Sequence, residues 1–337
     1  MRHLMSAALA IILTAASPAM HAHAPAAHLR QGAGGQGLLL VLNKDDATLS
    51  FVDAASGSSR ATIATGESPH EIAVSADGRF AFVTNYGSAI PGRSLSMIDI
   101  GAMREARRVD LAELRRPHGI WIAQGKVYFT AEANRQVGRY DPQADRIDAR
   151  IDTAQEGSHM VIATPDGRRL FTSNLGSGSI TILDAQAGGV WQATQVRVGA
   201  GPEGFDVTSD GRTLWAAHSE DGGISVVDIA ARKVTATIDA RTRRSNRLKF
   251  TPDGRHALIS DLSAGELVII ETATRQVTKR LKVGRSPEGV LIPPAGGVAY
   301  VAVTGENHVA VVDLKTFTIA RTIRTGNGPD GLAWLPK

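Results

Sequence analysis

From Leu38 onward the chain repeats one short phrase about every forty residues, and this repeat constrains the fold more than any other feature. Each unit opens on a Pro-x-Gly-like step that leads into an apolar run. The seven steps are Pro69-His70-Glu71-Ile72, Pro117-His118-Gly119-Ile120, Ser158-His159-Met160-Val161, Pro202-Glu203-Gly204-Phe205, Ser245-Asn246-Arg247-Leu248, Pro287-Glu288-Gly289-Val290 and Pro329-Asp330-Gly331-Leu332. Measured at the second residue of each step, the spacings are 48, 41, 44, 43, 42 and 42. A period near forty is that of a four-stranded propeller blade.

The signals inside each unit agree with that period. A turn such as Ala76-Asp77-Gly78-Arg79 or Pro252-Asp253-Gly254-Arg255 joins a first strand to a second. An apolar run, a polar loop and a third strand ending in an acid follow, as at Asp99, Asp141, Asp184, Asp228, Glu271 and Asp313; a fourth strand completes the unit. Leu38 to Asn43, Thr48 to Asp53 and Arg60 to Ile63 read as second, third and fourth strands lacking a first. Gly331 to Leu335 reads as a first strand with nothing after it. Pairing the two ends closes a seventh blade and leaves no open sheet edge. The expectation is an all-β, seven-bladed propeller of four-stranded blades with almost no helix. A length of 337 residues, which alone suggests two domains, then resolves into a signal peptide (residues 1–24), a flexible tether (25–37) and one propeller domain (38–337).

The signal peptide is read from Met1-Arg2-His3, the apolar run Leu4 to Ala16 and the small residues that follow. Cleavage is expected between about Ala19 and Ala26, which leaves no membrane span and a periplasmic or secreted protein. With no cysteine, the chain has no disulfides, thiolate metal sites or Cys nucleophiles, so any metal must use His, carboxylate or amide ligands. A net charge of +4 and 16 aromatics argue against nucleic acid as a partner.

The units Pro-x-Gly-x-x-x-(Ser/Thr)-x-Asp-Gly-Arg, then Phe82-Val83-Thr84-Asn85 or Ala299-Tyr300-Val301-Ala302-Val303-Thr304, then Ile224-Ser225-Val226-Val227-Asp228, resemble the YVTN-repeat (YncE-like) family of bacterial β-propellers over essentially the whole propeller. The resemblance implies the fold. For function it implies a choice among binding proteins, cofactor-associated subunits and relatives of lactone hydrolases, because the motif is scaffold sequence. The chain departs from the pattern at Gln124-Gly125-Lys126, which replaces the Asp-Gly-Arg turn, and at Ser245-Asn246-Arg247.

In a propeller the first strand lines the central channel, and the step before it lies at the same end as the loop between the second and third strands. Around that end the repeat places His70, His118, His159, Glu203, Asn246, Glu288 and Asp330. Three histidines fall in consecutive blades, although only six histidines follow residue 28. Imidazoles converging on one sector bind a divalent cation or shuttle protons. His70, His118 and His159 are therefore candidate metal ligands, with Glu71, Glu132 or an opposing carboxylate as a fourth. Arg241, Arg243, Arg244, Arg247 and Lys249 crowd the fifth unit as a candidate anion site, with Arg247 nearest the ring. His218, Glu220, Asn85 and Tyr86 sit on loops at the same end, while His256 follows a turn at the opposite end.

Two functions are expected from this pattern. The first is binding of a small ligand, a divalent metal or a periplasmic protein partner through the ring formed by His70, Glu71, His118, His159, Glu203, Asn246, Arg247, Glu288 and Asp330. The alternative is a lactonase-like hydrolase or isomerase acting on an anionic small molecule. In it His118 or His159 is general base, Glu203 or Glu288 is its partner and Arg247 clamps a carboxylate. The sequence Gly-x-Ser-x-Gly does not occur, which removes one route to a serine mechanism.

Overall fold

The computed structural model describes residues 37–336. The expected signal peptide and all of the tether but Gly37 lie outside the described residues. Twenty-eight strands form seven four-stranded antiparallel sheets. The innermost strands of blades 1 to 7 are Pro69–Val74, Pro117–Ala123, Ser158–Ala163, Pro202–Val207, Ser245–Phe250, Pro287–Leu291 and Pro329–Pro336. Blade 7 is closed by the C-terminal strand pairing with Gly37–Asn43, with Leu39 opposite Trp334 and Leu40 opposite Ala333. The ring therefore closes at the expected seam. Among the described residues, helix is limited to three single 3-10 turns, at Glu132–Asn134, Ala187–Gly189 and Thr304–Glu306, and no helix is long and apolar enough to cross a membrane.

The sequence explains the radial order of strands. Second and third strands are sandwiched between neighbouring blades and read as near-continuous apolar runs, such as the fully buried Val298–Val303. Fourth strands alternate, as in the half-exposed Lys233–Asp239. The core is accordingly seven clusters, one per blade interface. Leu42, Phe51, Ile72 and Val83 fill the seam between blades 7 and 1, and Trp215, Ile224, Leu248 and Val268 fill that between blades 4 and 5.

The recurrent polar residues are mostly turn chemistry. In (Ser/Thr)-x-Asp-Gly-Arg the hydroxyl donates to the Asp carboxylate and the Arg N–H donates to the same oxygen, at 2.6 and 3.0 Å for Ser75, Asp77 and Arg79. Thr164, Thr208 and Thr251 repeat the arrangement. The acids ending third strands accept N–H groups of the following turn, as Asp99 does from Ala102 and Asp313 from Lys315 and Thr316.

One irregularity positions the site. In every blade the register between the first two strands shifts just after the first paired residue, as between Pro69 and Ile72 or Pro202 and Phe205. Such a bulge re-aims side chains and takes an N–H out of the ladder. A hydroxyl on the second strand meets this need. Thr84 Oγ accepts from Glu71 N at 3.1 Å and donates to the His118 carbonyl of the next blade at 2.7 Å. Thr130, Ser173 and Ser260 do the same, tying down the carbonyls of His159, Glu203 and Glu288. The neighbouring Asn85 donates to Ser94 and Ser96 across the blade. The glycines after the bulged residue allow the next blade to approach: a Cβ on Gly204 would lie 2.5 Å from the Asn246 carbonyl and 2.6 Å from Arg247 Cα.

Replacing Thr84 by Val strands the Glu71 N–H and a buried carbonyl. Chemical denaturation should show a loss of about 1–3 kcal/mol, and Ser at the same position should restore most of it. Gly204→Ala should cost about as much through overpacking.

Candidate active site

Because the bulges turn them inward, the residues predicted to ring the channel do converge. His118, Glu203, Asn246, Arg247, Glu288 and Asp330 are all buried, and His70, Glu71 and His159 are half-buried. The His118 ring stacks on His159 with centroids 3.8 Å apart. On its other side it meets His70 at 4.9 Å. His70 is held by a contact of Nδ1 with the Ser68 carbonyl at 2.8 Å and packs on Tyr86.

Glu132 joins the histidine sector from the 3-10 turn of blade 2. One of its oxygens pairs with His159 Nδ1, and the other accepts from Tyr86 Oη at 2.6 Å. Burial alone would lower the His159 pKa, but the Glu132 hydrogen bond and charge outweigh it and raise the pKa. Burial would raise Glu132, which His159 and Tyr86 instead hold low. His118 has no such partner. Burial and the nearby His159, His70, Arg247 and Lys44 push it well below the ordinary histidine value. The pair Glu132–His159 thus carries charge while His118 is neutral. Tyr86 is pushed up to about 12 by burial and the Glu132 carboxylate, so it remains a donor.

The other half of the ring is a chain of charge pairs. Asn246 Nδ2 donates to Glu203 at 2.5 Å, and Arg247 donates to Asn246 Oδ1 at 3.0 Å. Arg247 also pairs with Glu71 on the far side of the ring and lies 3.9 Å from Asp330. Lys44 pairs with Glu288 and lies 3.6 Å from Asp330. Burial and the Asp330 charge push Glu288 up to about 7, against the opposing pull of Lys44. Burial would raise Asp330 as well, but Lys44, Arg247 and His70 hold it low. Beyond the Glu71–Arg247 bridge the channel opens into a cavity of about 390 Å³ with an apolar wall that includes Trp121, Ile162, Phe205 and Trp334.

The structure rearranges several expectations. The metal-competent group brought together is His118, Glu132 and His159, with one ligand atom of each within 4.8 Å of the others; His70 stands beside it as a packing partner. Of the five cations in blade 5, only Arg247 enters the ring. Arg241, Arg243 and Arg244 are exposed, and Lys249 faces Asp206 at 3.8 Å, so no anion cradle forms. Arg247 itself is committed to Glu71 and Asn246 rather than free to clamp a ligand. His218 lies inside its blade edge, paired with Asp221 at 2.8 Å and accepting from Gly199 N, while Glu220 is exposed. His256 packs edge-on against Phe317. Lys44 was not expected at all. Its signal was available: it directly follows Asn43, the partner of Pro329, as Tyr86 follows Asn85 opposite Pro69 and Glu132 follows Ala131 opposite Pro117, and aligning these positions places all three over blades 7, 1 and 2.

Among the described residues, His118 Nδ1, His159 Nε2 and Asp330 Oδ1 are buried polar atoms of this ring without a hydrogen-bond partner. Such atoms are costly unless a substrate, ion or water meets them. His159 Nε2 faces Glu203 at 3.9 Å.

Comparison with known proteins agrees with this architecture. A family model described as a lactonase, seven-bladed β-propeller, matches residues 34–237. No curated protein matches significantly. A putative 6-phosphogluconolactonase from Bacteroides fragilis superposes with a TM-score of 0.74 at 18% identity, covering 89% of this chain and 98% of that one. Its counterpart from Bacteroides uniformis gives 0.74 at 15%, covering 89% and 100%. Hydrazine synthase from Kuenenia stuttgartiensis gives 0.68 at 17%, covering 80% and 95%. At these identities the solved structures speak to fold, whereas the family model spans more than half of the sequence, and the chain belongs to the seven-bladed β-propeller lactonase family.

Proposed function

We propose that this protein is an exported YVTN-type propeller that hydrolyses a lactone at the channel mouth. The observation that carries the reading is the neutral, buried His118 stacked on the Glu132–His159 pair, with an unpartnered nitrogen on each ring. His118 Nδ1 takes a proton from water as the oxygen adds to the lactone carbonyl. His159, held as a charged donor by Glu132, gives its Nε2 proton to the ring oxygen as the C–O bond breaks, and the product is the open hydroxy acid. Tyr86 fixes the Glu132 carboxylate and so the orientation of His159. Membership of a lactonase family supports the reaction class.

Charge refines the substrate. The ring gathers Glu71, Glu132, Glu203, Glu288 and Asp330, and its two fixed cations, Lys44 and Arg247, are already paired. The two Bacteroides neighbours are described as putative 6-phosphogluconolactonases, and a phosphorylated lactone would need free cations here. The acid excess favours a lactone without phosphate.

Replacing His118 or His159 by Gln should lower turnover of a simple sugar lactone, such as glucono-δ-lactone, by about 100-fold or more with little change in melting temperature. Undiminished turnover by both variants, or a preference for 6-phosphogluconolactone, would exclude the assignment. Export predicts that protein recovered from the periplasm or medium begins between about residues 19 and 26, as N-terminal sequencing would read.

A carboxyl whose pKa rises on folding binds its proton more tightly in the folded state. Facing Asp330, Lys44 and Arg247, Glu288 therefore contributes stability below its ordinary value of 4.5 and loses it as the pH climbs to about 7. Melting of the native protein between pH 5 and 8 should fall relative to Glu288→Gln, whose profile lacks this term. Parallel profiles would show that Glu288 does not titrate there.

A further inference from the structure

The histidine sector has a need that its own hydrogen bonds leave unmet. His118 is only 4% exposed, yet its Nδ1 has no partner, and the same holds for Nε2 of the stacked His159. Glu132 completes the group: one ligand atom from each of the three residues lies within 4.8 Å of the others. Ligands about 2 Å from a common ion lie about 3.4 Å apart in a tetrahedral arrangement, so side chains need close by only about an ångström to share one. Two further features prepare the group. Tyr86 Oη anchors the second Glu132 oxygen at 2.6 Å, and His70 packs against the His118 ring, both in the manner of groups that orient ligands from outside.

Electrostatics points the same way. Five carboxyl groups face two lysine or arginine cations in this ring, and His118 Nδ1 meets no hydrogen-bond partner. An uncompensated buried negative charge is expensive and draws in cations. Two imidazoles and a carboxylate, with no thiolate anywhere in the chain, form a donor set suited to zinc and its neighbours rather than to calcium or magnesium.

We propose that His118, Glu132 and His159 bind one divalent transition-metal ion of the zinc type at the channel mouth, with Glu203 beside His159 as a neighbouring acid. The site shares its histidines with the hydrolase reading, whose base and acid roles belong to the ion-free protein, but it does not depend on a lactone. When bound, such an ion supplies an acidified water and a Lewis acid for a carbonyl.

The test uses the full-length chain stripped with a chelator and titrated with Zn²⁺ by calorimetry. Because His21, His23 and His28 are also able to take zinc, the reference protein carries Gln at these three positions. One equivalent should bind and raise the melting temperature, and Co²⁺ in its place should give the visible absorption of a low-coordinate site. His118→Gln and Glu132→Gln should each weaken zinc binding by at least 100-fold, whereas His256→Gln should not change it. Should His118→Gln fail to fold, Glu132→Gln alone decides. No bound zinc, or binding that both ring variants leave unchanged, overturns the proposal. Zinc held by these residues with no lactone opened leaves the site standing and removes the hydrolase reading. Full turnover by stripped protein that takes up no zinc does the reverse.

Discussion

The site depends on the hydroxyl that bridges adjacent blades at the bulge. A bulge aims two successive side chains at the channel, but it also releases a backbone N–H and brings the next blade's carbonyl close. Thr84, Thr130, Ser173 and Ser260 satisfy both groups with one side chain. The carbonyls they hold belong to His118, His159, Glu203 and Glu288, so the bond that joins blade to blade also fixes the backbone from which each functional side chain projects. Fold and site are coupled through the same atoms.

This coupling explains how much of the molecule can be read from its sequence. The repeat and its circular closure were legible because each blade must offer two apolar faces and four of the blades turn from first to second strand with the same Asp-Gly chemistry. The ring was legible because the bulge falls at a fixed place in the repeat, so aligning Pro-x-Gly steps aligns channel-facing residues. Pairing around the ring was not legible. Glu71 meets Arg247 across 176 positions of sequence and Lys44 meets Glu288 across 244, and no local pattern records such partners. The cluster Arg241, Arg243, Arg244, Arg247 and Lys249 misleads for a related reason: proximity in sequence says little where alternate strand residues point apart and a loop turns between them.

His218 shows the limit from the other side. It ends a second strand, opposite Pro202, at the position that Asn43, Asn85 and Asn174 occupy in their blades, and it does similar work, accepting a backbone N–H from a neighbouring loop. A histidine at a rim is chemically suggestive, but its place in the repeat identifies it as a clasp. Position within the blade separates scaffold from site better than residue type does.

Residue size along the ring carries a last consequence. After the bulged residue, Glu71, Met160 and Arg247 alternate with glycines at 119, 204, 289 and 331, and a Cβ on Gly119 or Gly204 would come within 2.6 Å of Met160 Cα or Arg247 Cα. The glycines thus make room for the large side chains, two of which join across the channel as the Glu71–Arg247 bridge. A buried arginine with one carboxylate removed would be left as an uncompensated charge, so the bridge is held as a pair. It separates the polar mouth from the apolar cavity of about 390 Å³ beyond it. The histidine sector therefore stands on the polar side of that bridge, where burial and neighbouring cations hold the His118 pKa down while the Glu132 carboxylate holds that of His159 up.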